Sequence, residues 1–539
     1  MQRKDPISQQ LRLVEAEVDN CHKGNILMQL PFGASAWYFM AFCEDIAIID
    51  LLKGHRQTIH DAAVFADQLV MHLKNAFLWL HSSCGKGGSP QRAYDDDFYQ
   101  AAKDLSYMSQ NYGPFECAFT YASRGLIELS VRDSTIVSSP DFLVDMSYEA
   151  YDRLVKPIEI APDFDKGDIF AFVGSLVRVN GSAFTYRLNP QLVSRAMEVL
   201  EPVLEARYSL PDHWQLSRYS MGDFKTISKC LMTIAYIHYI ARAIAAMQGC
   251  EGLGYANSIF LASLSELTNR LARYSDCPAR VVTALIEDMT YGSRGITNPD
   301  PAIQPLINLN DDLYAIMPNL FMNSSMERNF VVLLNKLPPE RAIYSRLVKE
   351  KESLMRKWIM ENLLLPNVRY FSGAITCEHK LSDIDLAVIS EAERVCIFLE
   401  LKWFVEPAEV REVIEKSEEI QKGVSQLLGL SDAMDRNPQP FFYALQIDAS
   451  YKRVFVVASD SFIGMRSVQH PKVPVVRHRH LVRKANLLGS LGKLSTWLLE
   501  RKYLPIEGKH YKVMEETWRI GRWGIKWYGI KPLVTEEFL

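Results

Sequence analysis

Residues Ser382 to Trp403 constrain this chain more than any other stretch. They read Ser-Asp-Ile-Asp-Leu-Ala-Val-Ile-Ser, a short polar turn from Glu391 to Arg394, then Val-Cys-Ile-Phe-Leu-Glu-Leu-Lys-Trp. At period two this is a pair of strands. Alternation puts Asp383 and Asp385 on one face of the first strand, and Glu400 and Lys402 on one face of the second. The remaining residues are almost all apolar, as in strands covered on both sides of a sheet. Charges at the ends of such strands are costly unless they bind something. Two acids and a lysine in that position suit a divalent metal ion.

Asp385 as a lone acid, with Glu400-Leu401-Lys402 as an acid-x-lysine tripeptide, resembles the PD-(D/E)xK nuclease superfamily, which has the restriction-endonuclease-like fold. Ile384 stands where the superfamily's name has proline. The order of elements around the motif agrees. Pro339 to Leu365 reads as one long amphipathic helix, begun by proline and ended before Pro366. Val368 to Cys377 is a strand, followed by the two strands of the motif. A second helix runs from Pro407 to about Ala433. Arg453 to Ala458 and Val473 to Val476 are further strands. The order αβββαβ is the core of that superfamily, and its helical crossover should be right-handed. The resemblance spans roughly Ala342 to Arg479.

The resemblance implies a metal-dependent phosphodiesterase, a nuclease using Mg²⁺ or Mn²⁺ on nucleic acid, with DNA as the commonest substrate of the superfamily. Asp385, Glu400 and the carbonyl of Leu401 would hold the ion. Lys402 would orient the attacking water or neutralise developing charge. Related nucleases often carry a glutamine on the helix after the motif, and Gln426 fits that place better than Gln421. Asp383, Glu378 and a helix acid, Glu350 or Glu352, are further candidates. A role in bacterial or phage-related restriction or defence follows from the resemblance alone. The competing expectation is a degenerate nuclease fold that binds nucleic acid or acts as a scaffold without cutting.

The chain has 539 residues, enough for two to four domains. We divide it into a helical region (1–160), a mostly helical accessory region with possible hairpins (161–338), the nuclease-like domain (339–480) and a basic, aromatic C-terminal extension (481–539). The expected class is thus a multidomain α+β or α/β protein with a mainly helical N-terminal region. Net charge is only −4, but from Phe441 onward 17 Lys and Arg face 8 Asp and Glu, a local excess of 9. Within that tail, Trp518 to Tyr528 interleaves aromatics with Arg519, Arg522 and Lys526, a pattern that can stack bases and touch phosphates. Arg477-His478-Arg479-His480 could also touch a nucleic-acid backbone.

Nine cysteines without a Cys-x-x-Cys pair suit a reducing cytoplasm better than a disulfide framework or a zinc site. Leu231 to Met247 is apolar but too short for a membrane span, so no membrane association is expected. The helical region could serve a homo-oligomer or a partner protein. Helices are expected at Ile59–Leu80, Phe98–Met108, Pro190–Glu205, Phe224–Gln248 and Asn257–Ala272, and hairpins at Asn180-Gly181 and around Asn310-Asp311-Asp312. Asp95-Asp96-Asp97 reads as a helix N-terminus, and the glycine-rich run from Gly85 to Pro90 as a flexible connector.

Overall fold

The computed structural model describes residues 8–53, 73–139, 146–155, 168–310, 312–377 and 380–533. The fold is mixed α/β, helical in its first part, with its largest sheet toward the C-terminus. Helix α1 (Gln9–Asp19) precedes α2 (Phe32–Leu52), in which every residue from Gly33 to Asp45 is buried. A helix apolar all round belongs inside a core. Gly33 is required there, because a Cβ would come within 2.3 Å of the Leu309 carbonyl oxygen. The glycine run is the cap of this helix rather than a loose connector. Phe32 N–H donates to the Gly85 carbonyl and Gly33 N–H to that of Gly87, both at 2.7 Å. Gly87 and Gly88 reach these positions with φ of +81° and +105°, which a side chain would oppose.

Asp95 caps α3 (Asp96–Ser123), its Oδ1 accepting from Phe98 N–H at 3.2 Å. The expected helix at Ile59–Leu80 is described only from residue 73, where a helical run reaches residue 83. Strands β1 (Leu129–Arg132) and β2 (Thr135–Ser138) follow in a stretch expected to be helical. The hairpin of β3 (Arg178–Asn180) and β4 (Ala183–Thr185) turns through Gly181 and Ser182, one residue later than expected. Helix α4 (Pro190–Arg207) leads to α5 (Met221–Met247), which starts at a Ser220–Asp223 capping box. At 27 residues α5 exceeds the segment read as too short to span a membrane. By length and composition α2 and α5 could each cross a bilayer, but 83% and 89% of their apolar windows are buried inside the fold. The helix expected from Asn257 is preceded by a strand, β5 (Phe260–Ser263), after which Ser263 caps α6 (Leu264–Ser275). Strands β6 (Leu306–Asn310) and β7 (Leu313–Ile316) form the second hairpin, and the three strands order as β5-β7-β6.

Helix α7 (Met326–Lys336) is followed by α8 (Pro338–Leu347) and α9 (Lys349–Asn362). The single helix expected over Pro339–Leu365 therefore breaks at Val348. Its two halves serve different cores: Tyr344 packs into the helical region, Met355 and Ile359 into the C-terminal sheet. That sheet contains β8 (Val368–Cys377), β9 (Lys380–Ser390), β10 (Val395–Lys402), β11 (Lys452–Ser459) and β12 (Val475–Arg477), ordered β12-β11-β10-β9-β8. Strands β8, β9 and β10 form an antiparallel meander, while β10, β11 and β12 are parallel. Helix α10 (Val410–Arg436) makes the crossover from β10 to β11. It starts three residues after Pro407 because the loop before it is held elsewhere. Arg328 Nε of α7 donates to the Glu406 carbonyl at 3.1 Å, and Lys74 pairs with Glu409 at 3.1 Å.

The C-terminal stretch divides in two. Helices α11 (His478–Leu488) and α12 (Leu491–Leu499) pack Leu481, Leu494 and Leu498 into the core of the five-stranded sheet. Strands β13 (Tyr511–Ile520) and β14 (Trp523–Pro532) form a hairpin that joins β1 and β2 in the order β1-β2-β14-β13. The end of the chain is thereby tied to its first helices.

Candidate active site

The site grows out of a place where a ladder ends. Strands β9 and β10 pair from Ser390 with Val395 to Leu386 with Leu399, and no further. Strand β10 continues beside β11 to the pair Lys402–Ser459. The next inward N–H on the β9 side would be left without a carbonyl partner. Asp385 supplies one from its side chain, Oδ2 accepting from Leu401 N–H at 2.8 Å. Glu400 and Lys402 project to one face as alternation requires, and Lys402 Nζ donates to Glu400 Oε1 at 2.6 Å. Their side chains are only 8% and 19% exposed, so this pair lies largely out of water. Gly423 of α10 lets the crossover helix pass over it. A Cβ there would stand 3.0 Å from Lys402 Cε and 3.3 Å from Glu400 Cγ.

Burial dominates the electrostatics. It pushes Glu400 up to about 7, with repulsion from Asp385 and Glu352 adding to it and Lys402 opposing it. Asp385 is also raised, first by burial and then by Asp383. The Leu401 N–H, Lys402 and Arg356 work the other way. Glu352 reaches the same cluster from α9 and is raised by burial, then by Asp385 and Asp383. Four carboxylates (Glu352, Asp383, Asp385, Glu400) thus feel one another against two cations, Lys402 and Arg356. With all four ionised the surplus is two negative charges, which a divalent cation would neutralise.

Among the described residues, no three His, Cys, Asp or Glu side chains converge as a ready metal cage. Asp385 Oδ1 and Glu400 Oε2 accept no hydrogen bond from a described residue, and neither do the carboxylates of Glu352 and Asp383. Two carboxylates with uncommitted oxygens fit Mg²⁺, which is held through one or two acids. The residues present therefore fit such an ion.

The other sequence candidates distribute as follows. Glu352 joins the cluster. Glu350, two residues earlier, turns to the helical region, where its Oε2 accepts from Trp214 Nε1 at 2.8 Å and lies 3.4 Å from His213 Nε2. Asp383 is exposed beside Asp385. Glu378 lies outside the described residues. Gln421 and Gln426 are both exposed on α10, and Gln426 takes no part in the hydrogen bonds of the cluster. Sequence reading missed Arg356 and Gly423. Arg356 had a signal, standing four residues after Glu352 on one helical face. So did Gly423, a glycine inside an otherwise helical pattern.

A cleft of about 2760 Å³ opens between the helical region and the C-terminal domain. Its walls include Lys351, Trp358, Trp403, Asp460, His478, Arg479 and Arg483, but not the carboxylates of the cluster. It lies along the carboxyl ends of the parallel strands β10, β11 and β12, where ligands of open α/β sheets gather. Asp460 N–H donates to the Lys402 carbonyl at 3.0 Å, so cleft and cluster share a wall.

The basic tail is largely occupied within the fold. Arg522 Nε and Trp523 Nε1 both donate to Glu17 Oε2, at 3.0 and 2.7 Å. Lys526 pairs with Glu515 at 3.2 Å. Arg519 is exposed. Trp518, Trp523 and Trp527 pack against the core formed by α1, α3 and β2.

Compared with family models, curated proteins and solved structures, the chain matches none.

Proposed function

We propose that this chain is a metal-dependent nuclease acting on DNA, with a restriction-endonuclease-like domain in its C-terminal part. One observation carries the reading: Asp385, Glu400 and Lys402 meet at the point where β9 leaves β10, partly buried and with a surplus of negative charge. The order αβββαβ and the mixed sheet support it. Asp385 Oδ1, Glu400 Oε2 and the Leu401 carbonyl would hold Mg²⁺ or Mn²⁺. Such an ion, when bound, lowers the pKa of a coordinated water and stabilises charge on the scissile phosphate. The Leu401 N–H fixes the Asp385 carboxylate in one orientation. Lys402 holds Glu400 and offers its remaining N–H donors toward a developing phosphate charge. Burial behind α10 keeps these groups at low dielectric, where such charge stabilisation is strongest. A part in restriction or defence rests on the resemblance of the motif.

The test is to incubate the full chain with plasmid, linear duplex and RNA, in Mg²⁺, Mn²⁺ or chelator. Metal-dependent cleavage of DNA that Asp385→Ala abolishes is the expected result. Binding without cleavage under every condition would favour the non-catalytic nucleic-acid binder, and cleavage that survives in Asp385→Ala would remove the cluster from the reaction.

A further inference from the structure

Lys351 is a buried cation with no ion-pair partner among the described residues. It is 6% exposed on α9, immediately before Glu352 of the acidic cluster, and it lines the cleft. Among the described residues no carboxylate lies in ion-pair range of its ammonium, which sits instead 4.7 Å from the ring centroid of Trp403. Trp403 immediately follows Lys402, so Lys351 and Trp403 both adjoin the cluster, one from the helix and the other from the strand end. Burial holds the Lys351 pKa down, with Asp460 and Glu327 opposing at a distance and Arg479 adding to the repulsion. A cation kept this way costs stability and returns nothing to the fold alone.

The same wall carries two more uncommitted cations. Helix α11 turns Leu481, Val482 and Ala485 into the core and leaves Arg479 and Arg483 exposed on the cleft side. Arg479 lies over the Trp358 ring at 5.5 Å, and neither arginine has a carboxylate partner among the described residues. Several other cations of the cleft are paired with carboxylates. Lys74 meets Glu116 and Glu409, Arg153 meets Glu149, Arg328 meets Glu412 and Arg477 meets Asp152. Lys351, Arg479 and Arg483, without carboxylate partners among the described residues, bring positive charge to the wall that borders the acidic cluster.

We infer that Lys351, Arg479 and Arg483 form a phosphate-binding subsite that seats a backbone phosphate of the nucleic acid next to the scissile one. This rests on the nuclease reading for its substrate class, and it adds residues outside the acid-x-lysine motif. Lys351 provides the compact ammonium at the inner end, and the two arginines, one helical turn apart, provide planar donors toward the cleft mouth. The Trp403 and Trp358 rings hold the ammonium of Lys351 and the guanidinium of Arg479 in place, so little ordering remains for binding.

The experiment uses the full chain and a short fluorescent DNA duplex in chelator, with affinity measured over a salt series. Lys351→Met keeps the side-chain length and the packing on Trp403. It should weaken binding by about 10- to 100-fold, the worth of a charge-assisted hydrogen bond, while the melting temperature holds or rises. Arg479→Gln with Arg483→Gln should flatten the log–log salt slope by about 1 for each phosphate no longer neutralised. Wild-type affinity and slope in folded Lys351→Met and in the double variant would overturn the subsite. So would a fall in melting temperature with unchanged binding, which marks Lys351 as structural. The two readings separate cleanly. Variant-sensitive binding by a protein that never cleaves leaves the subsite standing and removes the nuclease. Cleavage with variant-insensitive binding does the reverse, and no binding by the wild type removes the subsite.

Discussion

Two of the buried charge clusters are built to opposite ends. In the helical region Arg242 of α5 meets Asp45 of α2, with side chains 1% and 8% exposed. Tyr99 OH donates to the other Asp45 oxygen at 2.7 Å, and Arg242 Nε donates to the Leu253 carbonyl at 3.0 Å. Leu253 presents that carbonyl from a left-handed turn, φ +55°, between Gly252 and Gly254. The neighbouring Glu44 has one oxygen on the Asn319 N–H and the other on its amide. Both oxygens of both carboxylates are thus taken by protein donors. In the C-terminal cluster Asp385 Oδ1 and Glu400 Oε2 are not, the acids outnumber the cations, and a cleft adjoins. Burial raises the carboxyl pKa in both places, up to about 7 for Glu44 as for Glu400. Perturbed acidity therefore does not tell a site from a structural pair. Uncommitted lone pairs are what separate the two clusters.

The sharpest way to break this contrast is to remove one cation from each cluster. Lys402→Ala should cut turnover by about two to four orders of magnitude, as for loss of a preorganised electrostatic donor, and leave the chain folded, because Glu400, already raised to about 7, takes up a proton when its partner is lost. Arg242→Ala should do the opposite. It strands Asp45 in the core and should cost about 3–5 kcal/mol of stability, the penalty for breaking a buried pair, read by denaturant unfolding. An Arg242→Ala protein as stable as wild type, or a Lys402→Ala protein lost to unfolding, would erase the distinction between the clusters.

Gly423 gives a smaller effect and a finer test. Alanine favours a helix interior by about 1 kcal/mol over glycine, and the atom it would press, Lys402 Cε, belongs to a flexible side chain. The two effects oppose, so Gly423→Ala should melt close to wild type. Displacing the ammonium should still slow turnover by about 10- to 100-fold, the range expected when a reacting group is misplaced by around an ångström. Steady-state rates and thermal melting on one preparation read both.

How much of this was legible in the sequence follows from sequence distance. The alternation of residues 382–403 defined two strands and the faces of Asp385, Glu400 and Lys402, because period two is local. The junction at Val348 was not legible, since nothing in an amphipathic helix tells that its halves face two cores. Nor could sequence decide between Glu350 and Glu352, which lie two positions apart on α9 and so point apart. Only the seating of α9 against β10 and against Trp214 separates them. The contacts of the tail were hidden for a similar reason. Its tryptophans and arginines read as a nucleic-acid surface, whereas Arg522 and Trp523 meet Glu17 from the other end of the chain.

The smallest effect expected concerns pH and separates the clusters by what a metal does to them. Glu44 and Glu400 both stand at about 7 in the fold against an ordinary 4.5. The folded chain therefore binds the proton more tightly than the unfolded one. That contribution to stability is present at low pH and is lost as pH rises from about 4.5 through about 7. Wild-type melting should fall across this window, and Glu44→Gln and Glu400→Gln should each flatten part of the fall. Mg²⁺ competes with the proton only where it can reach the carboxylate. Its stabilisation should grow as pH rises through 7, amounting to about 1.4 kcal/mol at ten times Kd. Glu44→Gln should keep that gain and Glu400→Gln should lose it. A gain that survives in Glu400→Gln would place the ion elsewhere, whereas one that disappears in Glu44→Gln would show that the closed cluster is open to solvent after all.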